Sequence, residues 1–114
     1  MKCIRGWSLA AGLLIFAAAH AAPGPAPAAR TEISYLLATV AGSNCEFFRN
    51  GSWYGSQFAA DHLASKYQYL LVRNLVQSAE DFIEKAATRS SMSGRDYAIR
   101  CGGAAVPTGR WLLS

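Results

Sequence analysis

Residues 45–54 read CEFFRNGSWY, two short aromatic runs separated by Asn50-Gly51. Asn and Gly both tolerate the positive φ that a tight turn between antiparallel strands requires, so this stretch predicts a β-hairpin. Side chains alternate across a strand. If Cys45 and Phe47 face the core, Phe48 therefore faces outward, where a binding partner can reach it.

Helical periodicity flanks the hairpin on both sides. An N-cap at Thr31 followed by apolar residues at helical spacing predicts a first helix: Ile33, Leu36, Leu37 and Val40. A second helix is expected over residues 57–74, and a third begins at Ser78, which can cap it. Residues 97–101 alternate as a strand, and Thr108 can cap a last helical turn. These elements predict an α+β domain of three main helices with a small antiparallel sheet, the hairpin plus one later strand.

The first residues have the three parts of a secretory signal peptide. Positive charge at Lys2 and Arg5 precedes an apolar run over residues 9–19, and the small-residue site Ala19-His20-Ala21 follows. A membrane anchor is the alternative, but it needs roughly 20 apolar residues, more than this run provides. The expected organisation is a signal peptide over 1–21, an extended Pro/Ala-rich linker over 22–30 and a single domain over 31–114.

Export leaves two cysteines, Cys45 and Cys101, because Cys3 is removed with the signal peptide. Small exported domains supplement a thin core with disulfides, so we expect these two to be bridged. Closing a loop of this length stabilises a domain by about 4 kcal/mol in the chain-entropy model. A redox-active pair is the alternative, but such cysteines usually lie close together in the sequence.

Charge argues against some classes of partner. The chain has 11 Lys and Arg residues against 7 acidic ones, and losing Lys2 and Arg5 lowers the net charge from +4 to about +2. Binding to phosphate backbones needs clustered basic residues, which this sequence lacks. We therefore expect neither nucleic-acid binding nor, after cleavage of the signal peptide, membrane binding.

One face of the second predicted helix carries polar and cationic residues at helical spacing: His62, Lys66, Tyr69 and Arg73. Together with Arg49 from the hairpin and Phe48 beside it, this stripe could hold an anionic group. The alternative is an ordinary solvated helix face, whose Lys and Arg stems cover apolar surface.

Catalytic and metal chemistry have weaker support. His62 could act as a base toward a serine of the 90–93 loop, with Asp61 or Asp96 orienting it, but no nucleophile-presenting G-x-S-x-G turn is present. One histidine and two bridged cysteines in the mature chain do not make a metal site, and no cofactor is expected. A further possibility is an exposed aromatic patch for a glycan or protein, formed by Phe48, Trp53, Tyr54 and Trp111.

Four stretches in order resemble the YfeK-like family, small uncharacterised bacterial exported proteins: residues 45–54, His62-Leu63 with Lys66-Tyr67, residues 78–83 and residues 90–102. The likeness spans most of residues 33–112. It implies a periplasmic or secreted location in a Gram-negative bacterium and brings no activity with it.

These observations favour a non-enzymatic binding or interaction module, which binds an envelope protein or a small anionic ligand around His62, Lys66, Arg49 and Phe48. Two alternatives stay open: a small hydrolase that uses His62 with a serine of the 90–93 loop, and a purely structural envelope protein.

Overall fold

The computed structural model of the protein describes Gly12, Leu14 and residues 24–114. The signal-peptide prediction lies outside these residues apart from Gly12 and Leu14, and it stays a prediction. In chain order the elements are α1 (Pro27–Gly42), β1 (Glu46–Arg49), β2 (Ser52–Tyr54), α2 (Ser56–Leu71), α3 (Ala79–Ala86), β3 (Ala98–Arg100), β4 (Val106–Pro107) and α4 (Thr108–Leu113). None of the helices in this part of the chain is long and apolar enough to cross a membrane.

The hairpin forms as the sequence predicts. Asn50 and Gly51 take φ values of 48° and 90°, which the two-residue turn between twisted strands needs. β1 and β2 pair antiparallel, with Phe48 opposite Trp53. The opposite side of the strand buries Phe47, which is 5% exposed. The prediction of an α+β fold with an antiparallel sheet is confirmed.

The sheet has one strand more than expected. β3 pairs antiparallel with β1, and β4 pairs with β3, which gives the order β2-β1-β3-β4. β4 has only two residues, and one of them, Pro107, lacks a backbone N–H. Proline is tolerated at a sheet edge, where its missing donor costs nothing. A pair this short has no alternation to detect, so the sequence did not reveal it.

The first helix begins earlier than predicted, which corrects both the Thr31 cap and the linker boundary. Pro27 occupies the first turn of α1, where its fixed φ suits a helix start. Thr31 lies inside the helix, and its hydroxyl donates to the Pro27 carbonyl oxygen at 3.1 Å. Residues 27–30, which we expected to be extended, are therefore helical.

The other three helices form where the sequence predicts them, with small differences in where they begin and end. α2 stops at Leu71, since Asn74 has a φ of 55° and the Leu75 N–H turns back to the Leu70 carbonyl oxygen at 3.0 Å. The Ser78 hydroxyl caps α3, as predicted, by accepting from the Asp81 N–H at 3.0 Å. Thr108 is the first residue of α4 rather than its cap, and its side chain makes no capping hydrogen bond.

One core joins the helices to the inner face of the sheet. Its fully buried members come from every layer: Ile33, Val40, Val76, Phe82 and Ile99. The predicted Cys45–Cys101 disulfide is present, with the two Cα atoms 4.5 Å apart. It links the residue before β1 to the residue after β3, so it fastens one end of the central strand pair.

Candidate functional site

A pocket opens between the hairpin and α2, and we call it the hairpin pocket. Its walls are mostly carbon and comprise Phe47, Phe48, Arg49, Tyr54, Phe58, Ala59, His62, Leu63, Tyr97 and Thr108. The pocket with its open mouth measures about 330 Å³. Five elements or their ends meet here, because β1, β2 and α2 all line the pocket, Tyr97 precedes β3 and Thr108 begins α4.

Two polar atoms in this apolar wall lack a hydrogen-bond partner. They are the Arg49 Nε and the Thr108 Oγ1, and both are buried. Thr108 is 0% exposed, although its backbone N–H is satisfied by the Tyr97 carbonyl oxygen at 3.1 Å. Buried polar atoms nearly always have partners in folded proteins, so these two atoms are unusual.

His62 and Lys66 meet at the hydroxyl of Tyr97. The Lys66 Nζ donates to this oxygen at 3.1 Å, and the His62 Nε2 lies 3.2 Å from it. Because an ammonium can only donate, the Tyr97 oxygen accepts from Lys66 and its own proton is available to the His62 Nε2. This arrangement suits a neutral imidazole that carries its proton on Nδ1.

The surroundings of His62 favour that neutral form. Burial lowers the pKa of His62 below its ordinary value, and the positive charges of Arg49 and Lys66 lower it further. At neutral pH the imidazole is therefore an uncharged part of the pocket wall. Lys66 also donates to the Arg89 carbonyl oxygen at 3.0 Å, so it ties the loop before β3 to α2.

The predicted polar stripe divides into two parts in the structure. His62 lines the hairpin pocket and Lys66 lies next to it. Tyr69 and Arg73 instead pair with each other on the exposed surface, where the guanidinium carbon lies 3.6 Å from the centre of the tyrosine ring. Arg73 also donates to the Tyr69 carbonyl oxygen at 3.0 Å. These two residues are not part of the pocket.

The four aromatic residues proposed as one patch are dispersed. Phe48 and Trp53 pack together with ring centres 5.2 Å apart, and both are half-buried. Trp111 contacts Phe47 edge-on, and Tyr54 stacks on Phe58 with ring centres 4.4 Å apart. The stacked pair, Tyr54 and Phe58, lines the hairpin pocket, so the aromatic surface of this pocket lies next to α2.

The outer side of Trp53 is covered by a cation. The guanidinium carbon of Arg100 lies 3.7 Å from the centre of the Trp53 ring, and its Nε donates to Glu46 Oε1 at 2.9 Å. The contacts among Glu46, Trp53 and Arg100 thus link β1, β2 and β3 on the face of the sheet opposite Phe47. These residues are mutually satisfied, unlike the polar atoms of the hairpin pocket.

The pairing of His62 with a serine, which the hydrolase interpretation requires, is not formed among the described residues. The hydroxyl beside His62 belongs to Tyr97. Ser90 is buried, and its Oγ accepts from the Asn50 side chain and from the Met92 and Ser93 amides, each at 3.2 Å. That oxygen organises its own loop and anchors it to the hairpin turn.

The pocket residues that sequence reasoning missed include Phe58, Tyr97 and Thr108. Each was assigned only a helical, strand or capping position, since nothing in a single residue type signals that distant elements will converge. Within the described part of the chain, no group of three His, Cys, Asp or Glu side chains is placed to hold a metal ion.

The fold and site define a small α+β domain, braced by a disulfide, with an apolar pocket that contains unpaired polar atoms. Residues 27–114 match the model of the Family of unknown function (DUF5329), and the chain belongs to that family. The start of the match at Pro27 coincides with the start of α1. No curated protein and no solved structure matches the chain.

Proposed function

We propose that this domain is a non-enzymatic binding module that holds a small anionic ligand in the hairpin pocket. The observation that carries the proposal is the grouping of Arg49 and His62 in an otherwise apolar wall, with Lys66 beside it and no carboxylate among the lining residues.

The unpaired Thr108 hydroxyl carries an energetic cost. A buried hydroxyl without a partner costs about 1–3 kcal/mol, a large fraction of the stability of a domain this small. Replacing Thr108 with an apolar residue of similar shape would remove that cost. Residues that are kept at a cost in stability are typical of functional sites, which are often less stable than the rest of a fold.

The charged residues around the pocket favour a ligand with a negative charge. Arg49 is in the wall, Lys66 lies beside it, and no carboxylate is among the lining residues. Burial lowers the pKa of His62, and the positive charges of Arg49 and Lys66 lower it further. An anion relieves this repulsion, whereas a cation would add to it.

The setting we propose is the periplasm of a Gram-negative bacterium, reached through a signal peptide cleaved after Ala21. The Cys45–Cys101 disulfide supports an oxidising compartment. The resemblance to YfeK-like exported proteins supports the same setting. Mass measurement of the protein recovered from a periplasmic fraction tests it: an uncleaved N-terminus, or recovery only from the cytoplasm, would contradict export.

Binding is tested by titrating the oxidised, isotope-labelled protein with acetate, benzoate, phosphate and sulfate while following backbone amide signals by NMR. We expect at least one anion to shift the amides around Arg49, His62 and Thr108. Arg49→Gln should abolish these shifts, and the matched control Arg73→Gln, which removes a guanidinium outside the pocket, should retain them. Shifts confined to the Tyr69 and Arg73 surface, or none, would overturn the proposal.

A further inference from the structure

We infer that a groove between α1, α3 and α4 is a docking site for a basic amphipathic helical segment of a partner protein. We call it the acidic groove. It shares no lining residue with the hairpin pocket, so it is a second site and does not depend on the proposed function. The inference rests on the shape of the groove, on the exposure of its apolar residues and on the charges that line it.

Three helices form the acidic groove. α1 contributes Glu32 and Tyr35, α3 contributes Glu80 and Ile83, and the end of α4 contributes Leu113. With its open mouth the groove measures about 860 Å³, more than twice the size of the hairpin pocket. An open groove between helices is a geometry that receives the apolar face of a partner helix.

The apolar residues of the groove extend from the core to the surface. Ile83 and Leu112 are buried and form its floor. Tyr35 and Leu113, which are 70% and 66% exposed, lie at its rim. Large apolar side chains that are exposed and bordered by charged residues are typical of surfaces that bind another molecule, and tyrosine is enriched in protein interfaces. A partner that inserts apolar side chains would bury this rim.

The charged residues of the groove have one sign. Glu32 and Glu80 line it, whereas no lysine, arginine or histidine is among the described residues that do so. Neither carboxylate forms a salt bridge within the part of the chain that the structure describes. The whole chain has 11 basic residues against 7 acidic ones, so the acidic character is local to the groove.

These charges select the chemistry of the partner. Glu32 lies three positions before Tyr35 on α1, and a cation held by this carboxylate can therefore also contact the tyrosine ring. Charge complementarity favours a partner that carries lysine or arginine. The same carboxylates repel phosphate-rich partners, such as nucleic acid or an anionic membrane surface.

The length of the groove favours a short helical segment. α3 has eight residues, which correspond to about 12 Å along a helix axis. About two turns of a partner helix have the same length. Such a segment can place leucine side chains on one face and lysine side chains beside them, so that both the floor and the two carboxylates are contacted.

The test uses three blocked peptides that separate charge from apolar contact: KLLKKLLK, ELLEELLE and KSSKKSSK. Each is titrated into the oxidised, isotope-labelled protein, and dissociation constants are taken from the amide shifts of residues 31–36, 79–83 and 112–113. We expect KLLKKLLK to bind about tenfold or more tightly than either of the others, because one has the opposite charge and the other lacks apolar side chains. Binding of ELLEELLE or of KSSKKSSK as tightly as KLLKKLLK would overturn the inference.

Variants at exposed positions show whether the groove is the site. The double variant Glu32→Gln/Glu80→Gln should weaken KLLKKLLK binding about threefold or more, as expected for the loss of two exposed ion pairs. Leu113→Ser removes part of the apolar rim without opening the core and should weaken binding by about the same factor. The matched control Asp96→Asn removes an exposed carboxylate outside the groove and should leave binding unchanged. Weakening by the control as large as by the double variant would mean that net charge alone attracts the peptide, and would overturn the inference.

The remaining outcomes concern other occupants of the groove. Hexylamine that binds there as tightly as KLLKKLLK would replace the peptide by a small organic cation. Groove amides that shift with protein concentration alone would replace it by a second copy of the chain. Each of these results, or the absence of any shift in the groove, overturns the inference. All of them leave the anion titration of the hairpin pocket, and with it the proposed function, unaffected.

Discussion

The Thr108→Val substitution should stabilise the protein, and this expectation tests the description of the pocket without any ligand. The Thr108 side chain is 0% exposed and its Oγ1 has no hydrogen-bond partner. Valine has nearly the same shape and places a methyl group where the hydroxyl was. Its backbone N–H can still donate to the Tyr97 carbonyl oxygen, as the threonine N–H does.

The expected magnitude follows from two effects. Removing an unsatisfied buried hydroxyl recovers part of a cost of about 1–3 kcal/mol. Burying an additional methyl group adds up to about 0.8 kcal/mol if it is accommodated without strain. We therefore expect the free energy of unfolding to rise by about 1 kcal/mol, which raises the Tm of a domain of this size by about 4–8 °C.

The assay is urea and thermal unfolding of the oxidised protein, followed by circular dichroism in a buffer free of carboxylate and phosphate anions. Thr108→Ser is the matched control: it keeps the hydroxyl, loses a buried methyl and should lower stability by about 1 kcal/mol. If Thr108→Val instead lowers stability by as much as the control, the hydroxyl makes a favourable hydrogen bond in solution, and the reasoning about an unpaired atom is refuted.

Three further predictions concern the rest of the site. The pKa of His62 in the folded protein lies below the unfolded value of about 6.5, so the free energy of unfolding should fall as the pH drops through and below about 6.5. His62→Gln should remove this component of the pH dependence, measured by urea unfolding over a pH series. An unchanged pH dependence in the variant would contradict the prediction. Replacing both Cys45 and Cys101 with alanine should lower the free energy of unfolding by about 4 kcal/mol, measured by urea denaturation, and a loss below about 1 kcal/mol would show that the brace contributes little. Asn50→Gly keeps the turn but removes the hydrogen bonds from the Asn50 side chain to Ser90 and Ser93. Amide hydrogen exchange should therefore accelerate in residues 90–94 and not in β1. Equal acceleration in both segments would mean that the hairpin itself has opened.

The local features of this fold were predictable because few residues decide each of them. Asn50 and Gly51 set the turn through their own backbone preferences, and both adopt the positive φ that this requires. Ser78 caps α3 through a bond to a residue three positions away. The disulfide prediction needed only the two cysteines that follow the predicted signal peptide, so its partners were assigned without knowledge of the fold.

The pocket could be predicted only in part, since it depends on contacts between distant elements. Arg49 and His62 were identified as a possible pair, and the structure brings both into one pocket wall. Thr108 was expected to cap a helix, a local role, and its burial depends on how α4 packs. Lys66 was expected to help hold an anionic group, and in the structure its ammonium donates to the Tyr97 hydroxyl and to the Arg89 carbonyl oxygen.

The position of the disulfide relative to the pocket explains how a small domain can keep polar atoms buried. Cys45 and Cys101 fasten one end of the β1–β3 pair, in which Phe47 lies opposite Ile99. Arg49 ends β1 and Tyr97 precedes β3, so both pocket residues lie at the other end of the same pair. A slip of one residue would turn the Arg49 side chain to the opposite face of the sheet, because strand side chains alternate.

The bridge contributes about 4 kcal/mol and also fixes this register, whereas the unpaired Thr108 hydroxyl costs about 1–3 kcal/mol. The stabilisation that the disulfide provides is therefore large enough to offset the cost of the buried unpaired polar atoms. The disulfide also holds in place the strand that carries Arg49, one of the two residues with such an atom.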